Sequence, residues 1–79
     1  MAARWLDHEI VDHLIKLQNK YFAHSLETYC LVAEYYMLRR HNIPVMAYLI
    51  LISNLYEFGV INVEELQELN NWTLKMKDF

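Results

Sequence analysis

The side chains best suited to chemistry are concentrated near the amino terminus, where residues 7–13 read Asp-His-Glu-Ile-Val-Asp-His. On a helix, His8 and Asp12 are neighbours, and so are Glu9 and His13, because residues four apart share a face. Such pairs could help to hold a metal ion such as zinc. The zinc-protease motif His-Glu-x-x-His, however, needs a second histidine where this chain has Asp12. The pattern therefore favours a solvated helix face, with metal binding by these four residues as the lesser alternative.

The other candidate groups, His24, His41 and Cys30, are isolated in the sequence. A histidine near a bend or a helix end is usually solvated or hydrogen-bonded. Cys30 lies in an apolar stretch without a base one helical turn away, so we expect a buried apolar side chain instead of a nucleophile. One cysteine allows no internal disulfide, and one glycine allows no phosphate-binding loop. The sequence therefore predicts that the chain is not an enzyme and has no catalytic, metal-binding or cofactor-binding residue.

Two sharp break signals divide the chain into helices. At Asn42-Ile43-Pro44, Asn can cap a helix and Pro is tolerated in a first helical turn. Gly59 suits the left-handed position that follows a helix end. Asn62 with Glu65 forms the pattern of a capping box, in which each side chain bonds the other residue's backbone N–H. These signals predict helices over about 43–58 and 63–77.

Before Asn42 the chain is predicted to be helical from about 6 to 41. One apolar stripe is formed by Ile10, Leu14, Leu17 and Tyr21, and a second by Phe22, Leu26, Tyr29 or Cys30, Ala33 and Met37. The change of face near residue 24 indicates either one long helix that bends or a second helix capped by Ser25. The absence of Gly and Pro slightly favours one helix. We therefore predict an all-α bundle of three helices, or four if the chain breaks near 24, in a single domain over 1–79.

Composition limits the compartment and the partners. Seven Lys and Arg against ten Asp and Glu give a net charge of −3, which argues against nucleic-acid binding. The amino terminus does not resemble a signal peptide. The uncharged apolar block over 43–52 is about half of the roughly 20 residues that a membrane-spanning helix needs. We expect a cytoplasmic protein that does not enter the membrane.

The apolar block carries the functional prediction, because a helix that is apolar all round must be buried all round. One side looks like ordinary core and consists of Val45, Tyr48, Leu51, Ile52 and Leu55. The other side continues the polar line of Ser53, Asn54 and Glu57 backwards into apolar residues. The predicted intermolecular contact consists of Ile43, Met46, Ala47, Ile50 and Asn54. A large exposed apolar patch is rare on a monomer, so the contact is assigned to another chain, with cover by the first helical region as the alternative.

The sequence thus predicts a small protein-binding module that acts as a regulatory or accessory subunit, a phage or mobile-element inhibitor being one such form. Its partner is a second copy, as a homodimer, or another protein. A helix-turn-helix-like regulator that binds nucleic acid is the first alternative, although the helix over 45–58 has neither Lys nor Arg. A metal-dependent helical enzyme that uses the amino-terminal cluster is the second alternative.

Overall fold

The computed structural model describes residues 7–23 and 29–76, and within these residues it has four helices. They are α1 (Asp7–Phe22), α2 (Leu31–Arg39), α3 (Pro44–Glu57) and α4 (Val63–Met76). Helix accounts for 81% of these residues and none of them is in a strand, which confirms the predicted small all-α bundle. Over the same residues, no helix has both the length and the apolar character needed to cross a membrane.

The first helical region is divided into α1 and α2, so the preferred prediction of one continuous helix was wrong and the four-helix alternative was correct. The side chain of Gln18 in α1 stabilises the start of α2. Its Nε2 donates to the Tyr29 carbonyl over 2.6 Å, and its Oε1 accepts from the Leu31 N–H over 2.8 Å. A side-chain amide thus replaces helical hydrogen bonds that the break removes. Ser25, the proposed cap, and His24 lie outside the described residues.

The turn between α2 and α3 differs from the predicted cap at Asn42. The residue at the cap position of α3 is Ile43, which makes no side-chain capping bond, and Pro44 is the first helical residue. The Asn42 Nδ2 instead donates to the Leu38 carbonyl over 2.9 Å, and Arg39 donates to the Asn42 carbonyl over 2.8 Å. Asn42 therefore closes the end of α2, because its amide reaches back one turn to the Leu38 carbonyl, which also accepts from the His41 N–H over 3.2 Å.

The turn between α3 and α4 has the predicted geometry. Gly59 has φ +78°, and the N–H groups of Gly59 and Val60 donate to the carbonyls of Tyr56 and Leu55 over 3.0 and 2.9 Å. This pair of bonds is the Schellman motif. Asn62 and Glu65 then bond reciprocally, over 2.8 Å from the Glu65 N–H and 3.0 Å from the Asn62 N–H. The glycine stop, the capping box and the start of α4 at residue 63 are confirmed.

The core is centred on α3, which packs against each of the other three helices. Its buried members come from every helix and from the last turn, and they are Ile10, Leu14, Leu17, Leu31, Tyr35, Ala47, Tyr48, Leu51, Ile52, Leu55, Ile61 and Leu69. Four of the five residues predicted as the core side of α3 are among them, and the fifth, Val45, packs against them half-buried. The packed side of α3 is therefore occupied by the chain's own helices.

Candidate interaction surface

His13 is half-buried against two aromatic rings, which corrects the prediction that it is a solvated side chain. Its ring stacks on Trp72 of α4 with 3.7 Å between centroids and 8° between planes. Its Nε2 lies 2.9 Å from the Oη of Tyr48 in α3, a hydrogen bond in which either group can donate. Burial, and to a lesser degree the charge of Lys16, lowers the pKa of His13 to about 4. The histidine therefore joins three helices as a neutral ring.

The other residues of the amino-terminal cluster lie in different environments. Asp7 turns to α2, where its Oδ1 accepts from the Arg39 Nε over 2.8 Å and from the buried Tyr35 hydroxyl. The Arg39 hydrogen bond, followed by that of Tyr35, lowers the pKa of Asp7. His8 and Asp12 are exposed. Throughout residues 7–23 and 29–76, no three His, Cys, Asp or Glu side chains come together as a metal site would need. Of the carboxylates and histidines in this cluster, Asp7 and His13 thus make structural contacts, whereas His8 and Asp12 lie at the surface.

The outer side of α2 is apolar where burial was expected. Cys30, Ala33 and Met37, the end of the predicted second stripe, are exposed, so this part of the stripe was wrong. Phe22 and Tyr29 of the same stripe are half-buried against the core, and Leu26 lies outside the described residues. The true core side of α2 is formed by Leu31 and Tyr35. The exposed line borders an open depression of about 370 Å³, which is lined by Cys30, Ala33, Glu34, Met37 and Leu38. The predicted buried character of Cys30 is corrected: its Sγ accepts weakly from the Ala33 N–H at the start of α2.

The outer side of α3 is the largest departure from an ordinary amphipathic helix. Of the predicted contact residues, Ile43 is 65% exposed and Met46 46% exposed, while Ile50 and Asn54 are half-buried. Ala47 is 0% exposed and belongs to the chain's own core, so its assignment to an intermolecular contact was wrong. The outward direction is set by α1, α2 and α4, which leave Met46 and Ser53 exposed on one face.

This face contains residues that the sequence reasoning missed. Met46, Leu49, Ser53 and Tyr56 follow 3-4-3 spacing, which places them on one side of a helix. Tyr56 is 43% exposed, and Leu49 is half-buried. We call these four residues the α3 outer face. The burial of Tyr48, Leu51 and Leu55 could have located it, since it lies opposite to them on the helix.

The two ends of the α3 outer face carry opposite charge. Arg40 and His41, in the turn before α3, are exposed next to the exposed Ile43. Glu57, the last residue of α3, and Glu64, in the first turn of α4, are exposed at the other end. Among described residues, no ion pair involves Arg40, Glu57 or Glu64. α3 is therefore preceded by exposed basic residues and is followed by exposed acidic ones.

Comparison of the chain with protein-family models, curated proteins and solved structures finds no match.

Proposed function

We propose that the chain is a protein-binding module, an accessory or regulatory subunit of the cytoplasm, and that it docks through the α3 outer face. The observation that carries this proposal is that α3 is apolar on both sides although only one side is needed for the core. Ala47, Tyr48, Leu51, Ile52 and Leu55 are all buried within one chain. The core is thus complete without Met46 and Tyr56.

Apolar side chains left outside a complete core cost free energy in water, and a partner that covers them regains it. Burial of apolar surface contributes roughly 25 cal/mol per Å². Tyr and Met are enriched in protein interfaces, where they combine large contact area with adaptable packing. The helix on which they lie is fixed by the core, so little ordering entropy opposes binding. The exposed thiol of Cys30 suits a reducing compartment.

Site-specific photocrosslinking in the native host tests this function. A photoreactive phenylalanine analogue is placed at Met46 or at Tyr56, and at the exposed Asn71 of α4 as the control. We expect a protein adduct from both positions on the α3 outer face and none from Asn71. Irradiation that gives no protein adduct at either Met46 or Tyr56 would contradict the proposed function.

A further inference from the structure

The spacing of the α3 outer face is compatible with a second, antiparallel copy of the same helix as its partner. Its four residues are symmetric about position 51: Met46 mirrors Tyr56, and Leu49 mirrors Ser53. When two copies of such a helix pack antiparallel about a two-fold axis, each residue meets its mirror position on the partner. Met46 then lies against Tyr56 of the partner subunit, and Leu49 against Ser53 of the partner subunit. Leu opposite Ser places a large side chain opposite a small one, which favours interdigitation of the two helices.

The charges at the two ends support the same arrangement. An antiparallel pair brings the basic end of one face, with Arg40, onto the acidic end of the other, with Glu57 and Glu64. The contact is made twice because a two-fold interface uses the same surface on both subunits. A parallel pair would instead place like charges together at both ends, which is unfavourable.

The dipole of α3 also favours an antiparallel partner. α3 has no acidic residue in its first turn and no basic residue in its last turn. The other helices have both: Asp7, Glu9 and Lys20 in α1, Glu34 and Arg39 in α2, and Glu64, Glu65 and Lys75 in α4. Carboxylates near an amino end and cations near a carboxyl end stabilise a helix. An antiparallel copy supplies both to α3.

We propose that the chain forms a two-fold homodimer through antiparallel packing of the α3 outer faces, with Arg40 of each copy against Glu57 and Glu64 of the other. This inference rests on the proposed function, because it names the partner of that same face.

Sedimentation equilibrium of the full chain tests the dimer. We expect twice the 9.6 kDa chain mass. Met46→Asp should raise the dissociation constant by about tenfold or more, because it places a charge at the apolar contact. Leu74→Asp places the same charge at an exposed apolar residue of α4, 66% exposed against 46% for Met46, and is the control, which should leave the constant unchanged. A parent chain that stays monomeric at millimolar concentration, or an assembly larger than a dimer, would overturn the inference.

A charge exchange tests the antiparallel direction. One variant carries Arg40→Glu, and a second carries Glu57→Arg with Glu64→Arg. In a dimer of either variant alone, like charges would face each other at both ends, so we expect each variant alone to be monomeric. An equimolar mixture restores both opposite-charge contacts and should form a heterodimer. If either variant dimerises alone as well as the parent chain does, or if the mixture stays monomeric, the antiparallel assignment is wrong.

The two proposals fail in different ways. If the adducts from Met46 and Tyr56 contain only a different protein and the parent chain is monomeric, the homodimer is wrong. The proposed binding function is then still supported. Absence of any adduct in the host overturns the function itself.

Discussion

At the scale of single residues, His13 shows how packing decides a protonation state. Stacking on Trp72 removes one ring face from water, and burial lowers the pKa to about 4 from the ordinary 6.5. The folded chain therefore holds the ring neutral at pH values at which an unfolded chain would already bind a proton. Folding then releases a proton between pH 6.5 and about 4, and stability in that window depends on pH.

The first prediction is a loss of stability on mild acidification. Because the folded pKa of His13 is lower than the unfolded one, the unfolded state gains protons first and stability falls as the pH falls from 6.5 toward 4. Urea unfolding at pH 7 and pH 5 should show a loss on the order of 1 kcal/mol, once solvent screening of a half-buried ring is allowed for. The pKa values of Asp7 and Glu65 are lowered from 3.8 and 4.5, so their contributions are lost only at lower pH.

His13→Gln should remove most of this pH dependence between pH 7 and pH 5. His8→Gln, a change at an exposed histidine on the same helix, should retain it. Equal pH dependence in the parent chain and in His13→Gln would mean that another group titrates.

The second prediction concerns Tyr35, whose ring is buried and whose hydroxyl donates to the Asp7 carboxylate. Tyr35→Phe keeps the ring but leaves one carboxylate bond unmade, so we expect unfolding free energy to fall by about 1 to 2 kcal/mol. Tyr36→Phe, at an exposed tyrosine beside it, is the control and should change stability by less than about 0.5 kcal/mol. Equal stability of Tyr35→Phe and the parent chain in urea unfolding would show that the bond contributes nothing net.

At the scale of elements, helix ends with local chemical signals were predictable and the others were not. The stop at Gly59 and the box of Asn62 and Glu65 depend on residues within a few positions, so the sequence contains them. The break before α2 depends on Gln18, more than ten residues away, whose role follows from packing. The face of α2 was misassigned for the same reason, because Leu31 and Tyr35 turn inward only once a separate α2 packs on α1 and α3.

The third prediction isolates backbone conformation at Gly59. A Cβ atom added there would meet no atom within 4 Å, so the cost of a side chain comes from φ +78° alone. Gly59→Ala should lower the unfolding free energy by about 1 kcal/mol. Gly59→Asn should lower it less, since Asn enters the left-handed region more readily. Thermal melting of both variants measures the difference, and an alanine variant as stable as the asparagine variant would contradict this explanation.

At the scale of the whole molecule, α3 is both the centre of the core and the candidate binding surface. The sequence indicated a helix that is apolar on more than one side. It also correctly placed Tyr48, Leu51, Ile52 and Leu55 in the core. It could not fix the direction of the exposed side. That direction is set by how α1, α2 and α4 surround the helix, and it leaves Tyr56 outside and Ala47 inside.

The last prediction separates the two sides of α3 by placing the same charge on each. Leu51→Asp buries a carboxylate at a fully enclosed position, and the cost of several kcal/mol is comparable to the roughly 5 to 15 kcal/mol that stabilise a small domain. That variant should lose its helical circular dichroism at 25 °C.

Met46→Asp places the carboxylate in the first turn of α3, where no acidic residue and no side-chain cap is present. The helix dipole favours a negative charge there by about 0.3 to 1 kcal/mol. At a concentration at which the parent chain is monomeric, Met46→Asp should therefore melt at the same temperature as the parent or higher. A Met46→Asp chain that unfolds as Leu51→Asp does would place Met46 in the core and remove the α3 outer face as a binding surface.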